Sequence, residues 1–123
     1  MTLSPPASLI LNSPYALPYR HWKQGKGGEL VEAEGRRPAS YEIFDIRNNT
    51  RRSEPLDRVN EVRGRVDAWR DAGYPGTTVV TRRLLEHWHD NTARLHPFYF
   101  CQLEAIETLI WWVEGSAEFR QGV

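Results

Sequence analysis

The run Ser53-Glu54-Pro55-Leu56-Asp57-Arg58-Val59-Asn60-Glu61-Val62-Arg63-Gly64-Arg65-Val66-Asp67-Ala68-Trp69-Arg70-Asp71-Ala72-Gly73 decides how the rest of the chain is read. Leu56, Val59, Val62, Val66 and Trp69 recur at three- and four-residue steps, the period of a helix with one buried face. Ser53 or Glu54 can cap this helix, Pro55 suits its first position, and Gly73 stops it. Tyr74-Pro75-Gly76 then makes a turn, and Thr77 or Thr78 caps a second helix that turns Val80, Leu84, Leu85 and Trp88 inward. Residues 91–97 break the pattern. A third helix starts within Phe98-Tyr99-Phe100 and carries Ala105, Ile106, Leu109, Ile110 and Val113 inward, with Gly115 as a weak stop.

Working outward toward the N-terminus, the period changes. Residues 1–8 are small, polar and proline-rich, and are expected to be poorly ordered. Residues 9–22 are apolar and aromatic but interrupted by Pro14 and Pro18, which predicts an extended arm whose Leu9, Leu11, Tyr15, Leu17, Tyr19 and Trp22 pack onto something. Lys23-Gln24-Gly25-Lys26-Gly27-Gly28 reads as a flexible loop. Two strand-like runs follow, residues 29–34 and 40–46, with turn chemistry at Gly35-Arg36-Arg37-Pro38 between them, so a β-hairpin is expected. Residues 48–53 are polar and loop-like. The fold class expected is α+β, mainly helical: an arm and loop over residues 1–28, a hairpin and loop over 29–53, and about three helices over 54–123. Trp111 and Trp112 are adjacent, so one small domain would struggle to bury both. Tyr99, Phe100 and Trp112 are expected to be surface awaiting a partner layer, and the chain to be the front piece of something longer.

The 123 residues match one domain, and a composition of 40% hydrophobic, 26% charged and 11% aromatic residues is globular. Sixteen basic residues balance sixteen acidic ones, so whole-protein charge alone gives no reason to expect a nucleic-acid or membrane-surface protein. One cysteine, Cys101, excludes an internal disulfide framework. Neither a bilayer-spanning apolar run nor a secretory signal is present, and a cytoplasmic protein is expected. Lys23 and Lys26 are the only lysines among the sixteen cations. Arginine's planar fork fits carboxylate and phosphate alike; a salt-bridged helix surface is the first reading, with Asp67 and Asp71 near Arg70 and Glu54 near Arg58, and a phosphate-facing strip the second.

Few motifs carry chemistry. Gly25-Lys26-Gly27-Gly28 lacks the spacing and hydroxyl of a phosphate loop. His87 and His89 diverge by roughly 200° on a helix and cannot share a metal there; they read as surface histidines, and no metal site is expected. Glu32, Glu34, Glu42 and Asp45 could cluster on a hairpin as a metal nuclease requires, but the expected neighbouring lysine is missing, and charges that resist strand addition are the simpler reading. Cys101, between Phe100 and Gln102, reads as packed and inert.

The stretch Phe98-Tyr99-Phe100-Cys101-Gln102-Leu103-Glu104-Ala105-Ile106-Glu107-Thr108-Leu109-Ile110-Trp111-Trp112 resembles the glutamine motif that opens the first RecA-like motor domain of superfamily-two (DEAD/DEAH-like) helicases. Further blocks, Arg65 to Gly76, Thr81 to Trp88, Ser13-Pro14-Tyr15, Arg20-His21-Trp22 and Gly35-Arg36-Arg37-Pro38, are similar to the N-terminal region of bacterial enzymes related to the motor subunit of type III restriction enzymes. A primary amide can donate to adenine N7 and accept from its exocyclic amine at once, which lets one glutamine select ATP over GTP. The resemblance implies an accessory region and adenine-recognition motif of an ATP-dependent DNA helicase or translocase, inactive alone, with Gln102, Tyr99 and Phe100 at the nucleotide and Arg82 and Arg83 on DNA. ATP and magnesium belong to the complete enzyme, whose phosphate loop, Asp-Glu box and arginine fingers follow the glutamine helix. The implied partners are a downstream motor domain and DNA, with room for a methyltransferase subunit. Tyr99-Phe100-Cys101 stands where relatives often carry arginine, proline and tyrosine, so the residue that stacks on adenine is left open. The alternative is a free-standing DNA-binding or protein-interaction module using its arginines.

Overall fold

The structure, a computed structural model, describes residues 10–90, 92 and 95–122. The expectation of poor order at residues 1–8, and those resting on Leu9, Asn91 and Arg94, lie outside the described residues. Four strands come first: β1 (Arg20–Gln24), β2 (Leu30–Glu34), β3 (Ser40–Asp45) and β4 (Thr50–Pro55). Four helices follow: α1 (Asp57–Asp71), α2 (Val79–His89), α3 (Phe100–Glu114) and the short α4 (Ala117–Arg120). The class is α+β, as the changing period implies. Among the described residues no helix is long and apolar enough to cross a membrane.

The pairing of the strands corrects the expected hairpin. Residues 30–34 and 40–45 are both strands, but they do not pair with each other. β2 pairs antiparallel with β1, Trp22 opposite Glu32, and β3 pairs antiparallel with β4, Glu42 opposite Ser53. The glycine loop after β1 is therefore a hairpin connection, closed by Gly25 N–H to Glu29 O at 2.7 Å, and Gly35 to Pro38 joins two hairpins rather than turning one. The expected loop at 48–53 is mostly strand β4. Its reversal is made by Asp45, whose carboxylate accepts from Arg47 N–H at 2.9 Å and Asn48 Nδ2 at 2.8 Å, with Asn49 in the left-handed region at φ 51°.

Pro55 ends β4 instead of opening α1, which begins two residues later. α1 buries Val66 and Trp69 completely, with Val62 packed against them, whereas Leu56 and Val59 are each 41% exposed. Thr78 caps α2, its Oγ1 accepting Thr81 N–H at 3.1 Å; the helix buries Leu85 and leaves Val80 and Leu84 exposed. On α3 the inward row is Phe100, Leu103, Glu107 and Trp111, rotated from the expected one, since Leu109 and Val113 are both about two-thirds exposed. Phe100 is buried, against the expectation of an open surface, while Tyr99 and Trp112 are about half exposed. Trp69, Tyr74, Leu85, Val66 and Trp111 make one core cluster, each large apolar side chain contributing about 1.5–3 kcal/mol by leaving water.

Candidate functional site

The first turn of α3 is built from extended backbone at Tyr99 (φ −67°, ψ 153°). Its C=O accepts the N–H groups of Gln102 and Leu103, both at 3.1 Å. Gln102 folds back, so that its Oε1 accepts Tyr99 N–H at 3.0 Å, which is the return half of a capping box. That bond fixes the amide's orientation, because only its oxygen can face an N–H donor. The side chain is exposed; among the described residues nothing takes its amide N–H donors, which with a second oxygen lone pair complement an adenine edge.

A segment distant in sequence closes on this turn. Phe100 N–H, one of the donors a helix start leaves without an internal partner, bonds Pro14 O at 2.8 Å. Beside it the Tyr15 ring stacks on Tyr99, with centroids 5.2 Å apart and planes inclined by 23°. Asn12 holds this arm in shape: its Oδ1 accepts Tyr19 N–H at 3.0 Å and its Nδ2 donates to Arg20 O at 2.9 Å. The expected extended arm thus ends in a pinned turn and strand β1.

Behind the turn lies a ladder of charge. Phe100 has the Arg36 and Arg70 guanidiniums over its ring, at 5.9 and 5.4 Å from the centroid, a cation–π arrangement. Arg36 also grips both oxygens of Glu104, a partnership that raises its already high pKa. Arg70 reaches Asp67 at 2.8 Å and forks onto Glu107, Nη2 to Oε1 at 2.6 Å and Nε to Oε2 at 2.8 Å. Glu107 is fully buried and receives two further contacts at 2.8 Å, from the Tyr74 hydroxyl and His89 Nε2. Burial by itself would raise this carboxyl; the bonds from His89, Arg70 and Tyr74 overcome it and hold the group down at about 2. The same pocket pushes the Tyr74 phenol above its ordinary value, first by desolvation and then by the adjacent carboxylate. A carboxylate so stabilised is a poor proton donor near neutral pH; its effect is to tie α1, the turn after it, α2 and α3 together.

Sequence reasoning missed this cluster. The available signal was a glutamate on the apolar row of α3, four residues from Leu103 and four from Trp111. His89 is half-buried on Glu107 rather than a surface histidine, and Cys101 is exposed rather than packed. The hairpin carboxylates do not converge: Glu32 pairs with Arg20 on the first hairpin, while Glu42 accepts from Arg37, Ser40 and Ser53 on the second. No group of three metal-ligating side chains forms among the described residues. Arg82 and Arg83 lie exposed on α2 and make no ion pair among the described residues. Comparison with protein-family models, with curated proteins and with solved structures returns no match.

Proposed function

We propose that this chain is the N-terminal accessory region and adenine-recognition motif of a cytoplasmic, ATP-dependent DNA helicase or translocase of the restriction type. The observation that carries this reading is the Gln102 amide, exposed at the head of α3 and held in one orientation by Tyr99 N–H. It stands within the aromatic-x-Gln-x-x-Ala run that, with the collinear blocks upstream, carries the resemblance. In this reading Gln102 donates to adenine N7 and accepts from the exocyclic amine, and Tyr99 offers an aromatic surface beside it. Phe100, under two guanidiniums, supports the turn from behind. The β and γ phosphates and magnesium fall to the motor domain that follows. The exposed apolar side of α3, with Leu109, Trp112 and Val113, is the surface on which that domain packs.

The test is nucleotide selectivity in the polypeptide that joins this chain to its motor. Gln102→Ala is expected to raise KM for ATP and to weaken the preference over GTP; unchanged selectivity overturns the assignment. A second reading, a free-standing DNA-binding module, draws on Arg82 and Arg83, two exposed cations without carboxylate partners among the described residues. It requires salt-dependent DNA affinity of the chain by itself.

A further inference from the structure

We propose that the groove between the first half of α1 and the flank of α3 is a docking site for an amphipathic helix of a partner protein, one whose apolar strip is bordered on both sides by carboxylates. The groove follows from how α1 is covered. Leu56, Val59, Val62, Val66 and Trp69 make one stripe at helical spacing, yet the core closes over its second half alone: Val66 and Trp69 are fully buried, while Leu56 and Val59 stay open. Beside the open half lies a cavity of about 350 Å³, lined by Arg58, Val59, Val62 and Arg63 of α1 and by Glu104 and Thr108 of α3. Neither Gln102 nor the Leu109, Trp112 and Val113 side of α3 lines it, so the inference stands apart from the adenine reading and from the surface given to the motor domain.

The chemistry of the lining selects the occupant. The wall on α3 is already engaged: Arg36 grips both oxygens of Glu104, and Thr108 Oγ1 donates to Glu104 O at 2.7 Å. What remains for a ligand is the pair of valines and two guanidiniums. The Arg58 side chain makes no hydrogen bond or ion pair among the described residues, and Arg63 has only a long contact to Arg37 O, at 3.5 Å. Five residues apart on a helix, the two arginines stand about 140° apart around the axis, with Val59 and Val62 in the sector between them. An apolar floor with a cation on each side matches an apolar strip with a carboxylate on each side. The three- and four-residue ridges of α1 are the relief into which a second helix packs. A nucleic-acid strand would satisfy the guanidiniums but set phosphates against valine. An uncharged helix would cover the valines and bury cations without partners.

The experiment titrates the full chain with two labelled helical peptides that share an apolar strip at i, i+3, i+4 and i+7 and differ only in flanks of glutamate or of lysine. Fluorescence anisotropy gives the affinities, and amide chemical-shift mapping places the contact. The glutamate peptide should bind at least about tenfold more tightly than its lysine twin, weaken as salt is raised, and shift amides of residues 56–63 and 104–108. Arg58→Glu with Arg63→Glu should reverse the preference, so that the lysine peptide becomes the tighter one. Val59→Ser should weaken the glutamate peptide without restoring the lysine one. Equal binding of the two peptides, shifts centred elsewhere, or binding by neither overturns the proposal. If the doubly reversed variant does not fold, the shift map and the peptide comparison on the unmodified chain decide by themselves. Sedimentation that finds the chain dimeric, with the dimer dispersed by Val59→Asp, would make a second copy the occupant and would also overturn it.

Discussion

In the helical region a carboxylate with no solvent exposure is surrounded by an arginine, a tyrosine and a histidine, and Trp69, Trp111 and Leu85 pack beside it. In the hairpin region none of the described residues from 10 to 55 is buried, and every residue of β4 is exposed. Two-stranded ribbons are marginal by themselves. These two are fastened to the helices by polar tethers: Asn60 on α1 exchanges two hydrogen bonds with Ala39, and Arg36 spans to Glu104. The comparison teaches that order in this chain comes from two sources. The helices are held by burial, with one costly ionic group inside; the hairpins are held by hydrogen bonds at their bases.

The sharpest way to break the comparison is Glu107→Ala. Removing one partner of a buried ionic cluster leaves Arg70 desolvated and the Tyr74 hydroxyl without its acceptor, so a loss of about 3–5 kcal/mol is expected in urea unfolding. A Glu107→Ala protein that unfolds at the parent's midpoint would show that the carboxylate does not hold the helices together. The pH dependence follows the same group. Its carboxyl lies at about 2 in the folded chain, below its ordinary 4.5, so its stabilisation is complete above the unfolded value and drains away as pH falls from about 5 toward 2. Acid titration of the unfolding midpoint checks this, with Glu107→Gln expected to flatten that limb.

A smaller loss is expected at the turn that seats the helices. Gly76 has φ +93°, and a Cβ there would lie 2.6 Å from both Glu114 O and Ser116 N, backbone atoms that cannot swing away. Gly76→Ala should cost about 1–3 kcal/mol from the strained conformation and the displaced turn together, read as a lower thermal midpoint. Pro75 O, which takes the Trp69 indole N–H at 2.9 Å and Ser116 N–H at 3.1 Å, would be displaced with it.

How much of this was legible follows from the same contrast. Three of the four helices among the described residues, and most of their ends, were readable because caps and stops are local: Thr78 caps, Gly73 at φ +87° stops α1, and Gly115 is the C-cap of α3; the short α4 (Ala117–Arg120) was not expected. The pairing of strands was not, since sequence patterns specify pairing through a buried face, and these ribbons have none. β4, with sequence Thr-Arg-Arg-Ser-Glu-Pro, carries no apolar alternation to find. The inward face of α3 was misread because a glutamate stands on it. Apolar counting favoured Leu109 and Val113, whereas the ionic partners on α1 and α2, invisible to a one-helix reading, draw Glu107 inside. At the candidate site Gln102 and Tyr99 were named from sequence, but Tyr15 was reachable only through a contact between distant segments.

The tethers sharpen the comparison from the other side. Asn60→Ala removes both side-chain bonds to Ala39, a loss of about 1–2 kcal/mol, and the effect should be local. Amide hydrogen exchange should quicken through β3 and β4 while α1, α2 and α3 keep their protection. Uniform acceleration across both regions would mean that hairpins and helices unfold as one unit.

The smallest effect on stability is expected on α2. Arg82→Ala with Arg83→Ala removes two exposed cations that make no ion pair among the described residues, so unfolding should shift by less than about 0.5 kcal/mol. The pair is informative for the opposite reason: with no structural duty to confound it, any change in DNA affinity reports contact with phosphate. If the chain binds DNA through these side chains, the double substitution should lower the slope of log affinity against log salt by about 1.4–1.8, the value for two phosphate contacts on single or double strands. An unchanged slope, with binding intact, would take the arginines of α2 out of the interface and leave the hairpins, with Lys23, Arg47 and Arg51 exposed, as the place to look.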